Sequence, residues 1–191
     1  MKGRDRVFVD ANELFPFSVM DLLLSLAEDL LIDFVWTDEL IDEWERVIVR
    51  DGRRTPETAR AVSGAVRRFF ATTRIDPLAY RDRVDEVPGR DPDDCVHTAA
   101  CAFGGATDLL TRNERDFPRD FLAEHGVKIS SADTYLTGLL RRRPAAFLDV
   151  VRRLAAGKQR PPMSPCDVAN SLSNAGASRL SGALQRRLGC S

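Results

Sequence analysis

Asp10 closes the apolar run Val7-Phe8-Val9, and Asn12 follows two residues later. A buried strand that stops at a carboxylate has reached either a turn or a site. Three further acids sit at comparable places. In "DELIDEWERVIVR", at about 100° per residue, Leu40, Ile41, Trp44, Val47 and Ile48 share one arc, and Glu43 borders it beside Val47. Asp42 and Glu45 turn outward, and Glu39 lies further from the arc than Glu43. In "DPDDCVHTAAC", Asp94, His97, Thr98 and Cys101 fall within about 100° of one another. In "LLTRNERDFP", Thr111 ends an apolar run, and Asn113 and Asp116 follow before Pro118.

Each acid has a plain structural reading. Asp91 before Pro92 is a natural helix start, and the helix dipole favours Asp94 one turn in. Asn and Asp after a strand are ordinary turn residues. Glu43 can be a boundary residue whose carboxylate reaches water. These readings do not explain why so many acids fall at strand ends and at the helix starts after them. Converging carboxylates repel one another, and a divalent cation relieves the repulsion. Oxygen-only ligands suit Mg²⁺ or Mn²⁺. Such a centre serves phosphoryl and phosphodiester chemistry, with metal-activated water as nucleophile. Zinc is disfavoured: His97 and Cys101 are one helical turn apart, but the remaining ligands of a zinc site are missing.

The elements that must position these residues alternate. Val7–Val9, "DFVW", "TDLLT" and "VKISS" read as strands, and amphipathic segments lie between them. Thr55 followed by Pro56 marks one helix start. Alternation through about residue 140 calls for an α/β fold with a central parallel sheet and helices on both faces. In such sheets sites form at the carboxyl ends of the strands, where Asp10 lies. After Arg143-Pro144 the pattern becomes helical only: one helix to Gly157, a break at "KQRPPMSP", and two short helices about a turn at Asn174-Ala175-Gly176. The expected division is therefore 1–143 and 144–191.

Charge divides along the same line. Residues 1–138 carry 18 Lys and Arg against 27 Asp and Glu, whereas residues 139–191 carry 10 against two. An acidic body suits a cation, and a basic tail suits an anionic partner or simply solvated helix faces. No apolar run of 18 residues is present, and the charged start "MKGRDRVFVD" is unlike a signal peptide. The expectation is a cytoplasmic protein with no membrane contact. Cys95, Cys101, Cys166 and Cys190 form no CxxC pair and are expected to be free thiols.

The order of motifs "VFVDANELF", "WTDELIDEWERV", "DPDDCVHTAACAFGGATDLLTRNERDFP" and "GVKISSADTYL" resembles the PIN-domain family, in particular the VapC-like ribonuclease toxins of bacterial type II toxin–antitoxin systems. The resemblance covers about residues 6–137 and leaves the basic tail outside. It implies a three-layer α/β/α sandwich around a parallel sheet, here with a C-terminal helical extension. By position it gives Asp10, Glu43, Asp94 and Asp116 as the catalytic acids. Asp10, Asp94 and Asp116 would hold Mg²⁺ (or Mn²⁺) directly or through water, and Glu43 would orient water or complete the shell. Asn12, Thr111 and Asn113 match supporting polar positions. His97 departs from the family, which more usually has an apolar residue there; it is either a structural histidine or a partner of the scissile phosphate or of a ligating carboxylate. The implied activity is metal-dependent cleavage of an RNA substrate by a homodimer restrained by a cognate antitoxin.

Two other readings stay open. One keeps the fold as a catalytically silent PIN-like RNA- or protein-binding module. The other is a phosphatase with Asp10 as nucleophile, which wants a second acid at position 12, where Asn stands.

Overall fold

The computed structural model describes residues 3–89 and 91–190. Strand β1 (Arg6–Val9) leads into the one-turn helix α1 (Ala11–Leu14) and then α2 (Phe17–Glu28). Next come β2 (Asp33–Val35), α3 (Asp38–Arg50) and α4 (Pro56–Phe69). After short 3₁₀ turns between Ala71 and Glu86 follow α5 (Pro92–Phe103), β3 (Asp108–Leu110), α6 (Arg119–Glu124) and β4 (Lys128–Ser130). The chain ends with α7 (Ala132–Arg142), α8 (Pro144–Gly157), α9 (Pro165–Asn174) and α10 (Ser178–Leu188). The fold is α/β, with a parallel four-stranded sheet flanked by helices, in keeping with a PIN-like sandwich.

The sheet order is β2-β1-β3-β4, and every pair is parallel. Phe8 stands opposite Val35 on one side and Leu109 on the other. Val7, Phe8 and Val9 are wholly buried, as a parallel strand covered on both faces requires. From β1 the chain moves to one side to make β2, then returns past β1 to make β3. The direction of winding therefore reverses between β1 and β3. A crevice opens at such a switch point, beyond the carboxyl ends of the two strands. The residue after β1 is Asp10, and the residue after β3 is Thr111.

The chain packs as two compact units. The first comprises residues 1–15 and 33–130, and the second residues 16–32 and 131–191. This grouping does not follow the 143/144 division of the sequence, because α2 and α7 join α8, α9 and α10.

In the first unit, Thr37 caps α3 by accepting from the Leu40 N–H, and Thr55 caps α4 ahead of Pro56. Trp36 and Trp44 are fully buried, and their indole N–H groups donate to the carbonyls of Phe70 (2.9 Å) and Leu14 (3.3 Å). Both indoles thus bury their area without losing a hydrogen bond.

In the second unit, α9 and α10 form an antiparallel pair. Ser164 and Asp167 make a reciprocal capping box at the start of α9. Asp133 of α7 accepts from the backbone N–H of Leu180 (2.8 Å) and Arg179 (3.2 Å), satisfying the first turn of α10. Cys166 and Cys190 form a disulfide with Cα atoms 5.9 Å apart, which corrects the expectation of four free thiols. They are 24 residues apart in sequence, but the helical hairpin brings its two ends together. Cys95 and Cys101 are free. Among the described residues, no helix is long and apolar enough to cross a membrane.

Candidate functional site

The crevice between β1 and β3 is built from short side chains that lock onto one carboxylate. Asp10 is only 8% exposed. Its backbone N–H donates to the Leu110 carbonyl at 2.8 Å, which ties the ends of the two strands together. Its Oδ2 accepts from the Thr111 hydroxyl (2.7 Å) and from the Asn12 amide (2.6 Å). Asn12 Oδ1 accepts in turn from the Arg112 backbone N–H at 3.2 Å. Asn113 joins through its backbone, with its N–H donating to Thr111 Oγ1 at 3.0 Å. Burial pushes the Asp10 carboxyl above its ordinary range, and the Thr111 hydrogen bond opposes that shift.

Glu43 and His97 form the second cluster. The inward arc of α3 brings Glu43 Oε2 to 2.8 Å from His97 Nε2. His97 is 3% exposed, and its Nδ1 is buried without a hydrogen-bond partner. Burial alone would lower the imidazole pKa. The Glu43 hydrogen bond and the charges of Glu43, Asp10 and Asp94 outweigh it, and the net direction is upward. The acidic neighbourhood thus favours the charged form of His97, which is hydrogen-bonded to Glu43.

Asp94 lies in the first turn of α5, half-buried. Asp91 caps the same helix, accepting from the Asp93 N–H at 2.9 Å. Burial raises the Asp94 carboxyl to about 6, with further contributions from the negative charges of Asp91, Asp10 and Asp116 in that order. Asp94 therefore feels acids from both neighbouring strand ends. Asp116 is exposed and lines an open groove of about 850 Å³ together with Arg112, Arg115 and Arg119.

The structure thus gathers Asp10, Asn12 and Thr111 into one hydrogen-bonded knot and pairs Glu43 with His97. Asp94 is coupled electrostatically to Asp10 and Asp116. The donors are all oxygens, and the repulsion on Asp94 is the kind a cation relieves. Among the described residues, no group of three His, Cys, Asp or Glu side chains is arranged to hold a metal ion. In donor chemistry the acids fit Mg²⁺ or Mn²⁺; they do not form a closed cage.

One participant escaped the sequence reading. Glu13, 3% exposed on α1, pairs with Arg112 Nε at 3.1 Å. The pair bridges the turn after β1 to the turn after β3. Glu13 stands three residues after Asp10, where it could have been singled out as an acid amid apolar neighbours. Arg112 as its partner follows only from the adjacency of the two strands.

Residues 132–186 match a family model, the VapC50 C-terminal domain. The match lies within the second packing unit and begins at the start of α7, so it takes in the tail that the motif resemblance left out. It points to VapC-like toxins and does not extend to the region that carries the four acids. No curated protein and no solved structure matches the chain.

Proposed function

We propose that this chain is a metal-dependent endoribonuclease, the toxin component of a bacterial type II toxin–antitoxin system. The observation that carries the reading is the buried Asp10, held by Thr111 and Asn12 at the β1/β3 switch point, with Asp10 and Asp116 close enough to Asp94 to add their charge to the burial that raises the Asp94 carboxyl. The similarity of residues 132–186 to the VapC50 C-terminal domain supports it independently, since VapC proteins are ribonuclease toxins and work with a cognate antitoxin.

In this reading Asp10, Asp94 and Asp116 hold Mg²⁺ or Mn²⁺, directly or through water. When bound, the cation supplies Lewis-acid charge against the phosphate and favours ionisation of an attacking water. The rest falls to the chain itself. Thr111 and Asn12 fix the Asp10 carboxylate through the two hydrogen bonds to its Oδ2. His97 holds Glu43 by its carboxylate, so Glu43 is set to orient water or take a proton. The arginines that flank Asp116 would meet the backbone phosphates.

The test is cleavage of RNA with Mg²⁺ or Mn²⁺, its loss with EDTA, and its loss in Asp10→Asn. We expect Asp10→Asn to lower the rate about a thousandfold, equivalent to about 4 kcal/mol of barrier. Wild-type cleavage by Asp10→Asn would remove the metal-site assignment.

The absence of a three-ligand cluster among the described residues favours a second reading, a silent PIN-like binding module. Calorimetric titration with Mn²⁺ separates the two, since a silent module takes up little or no metal. A phosphatase is less favoured, because Asn12, rather than an acid, donates to the would-be nucleophile Asp10.

A further inference from the structure

The second unit carries an open groove of about 600 Å³ between α7 and α10. Thr137 and Arg141 line it from α7, and Arg179, Gly182, Arg186 and Arg187 from α10. No carboxylate is among its lining residues. None of these four arginine side chains has an ion-pair partner among the described residues. Asp133 is engaged with the α10 backbone instead.

Helix-end electrostatics explain part of this. Arg141 lies in the last turn of α7, and Arg186 and Arg187 in the last turn of α10, where cations offset the helix dipole. Arg179 lies in the first turn of α10, where the dipole disfavours a cation, and it lines the same groove. A second observation also points to a ligand. Thr137 is 7% exposed, and its hydroxyl is buried without a hydrogen-bond partner. Thr137 lines the groove, and an oxygen seated there is the partner its hydroxyl lacks.

We propose that the α7/α10 groove is a binding site for the phosphate backbone of RNA, formed by Arg141, Arg179, Arg186 and Arg187 with Thr137 as a neutral donor. Guanidinium groups present paired donors that match phosphate oxygens. An acidic protein segment would offer similar charge, but stable protein partners anchor through large apolar or aromatic side chains. Among the described residues, the exposed large apolar side chains are Leu30, Phe69 and Leu78, and none lines this groove. No aromatic side chain lines it either, so it offers bases no aromatic platform, and the contact is chiefly with the backbone. The proposal rests on the ribonuclease reading for the identity of its polymer.

The experiment measures fluorescence anisotropy of a labelled single-stranded RNA of mixed sequence with the full chain in EDTA, over a series of salt concentrations. In the Arg179→Gln/Arg186→Gln double variant, affinity at low salt should fall tenfold or more. The slope of log affinity against log salt should drop by about 1.4, at about 0.7 per lost contact with single strands. Thr137→Val keeps the shape and removes the hydroxyl; it should weaken binding about threefold and leave the salt slope unchanged. Should the double variant unfold, Arg179→Lys/Arg186→Lys keeps the charge, and it should retain the slope with weaker binding. RNA binding unchanged in the double variant overturns the proposal, whatever a cleavage assay shows. Loss of binding to a poly-glutamate peptide but not to RNA overturns it in favour of an acidic protein. A chain that cuts no RNA but loses RNA affinity on these substitutions overturns the nuclease reading and keeps the groove.

Discussion

In the first unit a group of arginines is neutralised: Arg67 pairs with Asp38 and Asp42, Arg74 with Asp38, Arg81 with Glu39 and Arg83 with Glu86. Carboxylates are left to face one another at the strand ends. In the second unit the balance is reversed. Asp21 takes Lys158, Asp29 takes Arg153 and Asp149 takes Arg152, while no carboxylate among the described residues lines the α7/α10 groove. The net charge of -1 conceals both imbalances. Each unit pairs part of its charge internally and leaves one concentration unbalanced, acidic in one and basic in the other. A cation and a phosphate chain are the ligands those remainders call for.

The largest effect that would break this contrast comes from Asp94→Asn. Cleavage should fall about a hundredfold, or about 2.7 kcal/mol of barrier. Stability should move the other way. The Asp94 carboxyl keeps its proton to about 6 in the folded chain, against an ordinary value of 3.8. The folded state therefore binds more protons between these limits, and its stability falls as pH rises through them. Asn cannot ionise. In EDTA, Asp94→Asn should melt above wild type at pH 7, and the gain should vanish near pH 4. A variant that melts below wild type at pH 7 would show that burial and the neighbouring acids do not penalise the Asp94 carboxylate.

A smaller effect sharpens the first unit's side of the comparison. Thr111→Val keeps the shape and removes the hydroxyl that donates to Asp10 at 2.7 Å. A buried carboxylate short of one donor costs about 1–3 kcal/mol. Urea unfolding at neutral pH should show that loss, and acidification should diminish it as Asp10 takes up a proton. The smallest effect is a control. Arg83→Gln removes an exposed arginine already paired with Glu86. RNA affinity should change less than twofold, in contrast with the double variant in the groove. An equal loss in both would mean that bulk charge, and not the groove, governs binding.

Much of the scaffold could be read from local chemistry. Three wholly buried residues ending at Asp10 describe a central parallel strand, and Thr55-Pro56 and Asp91-Pro92 announce the helices they cap. The inward set of Glu43 follows from helical spacing, and the structure adds the His97 partner that spacing could not assign. What escaped depends on distant segments becoming neighbours. Arg112 finds Glu13 only because β1 and β3 are adjacent. Cys166 meets Cys190 only because α9 and α10 fold back on each other. The grouping of α2 with the C-terminal helices also lies beyond periodicity, since an apolar face does not name its partner.

The disulfide gives the last two helices a property unlike that of the rest of the chain. Cys166 sits at the start of α9 and Cys190 just beyond the end of α10, so nearly the whole helical pair lies within one covalent ring. The turn at Ala175-Gly176 is the natural place for a protease to enter that ring. A single cut there would open the loop without releasing it: the fragment bearing Arg179, Arg186 and Arg187 would remain tethered through sulfur and would part only on reduction.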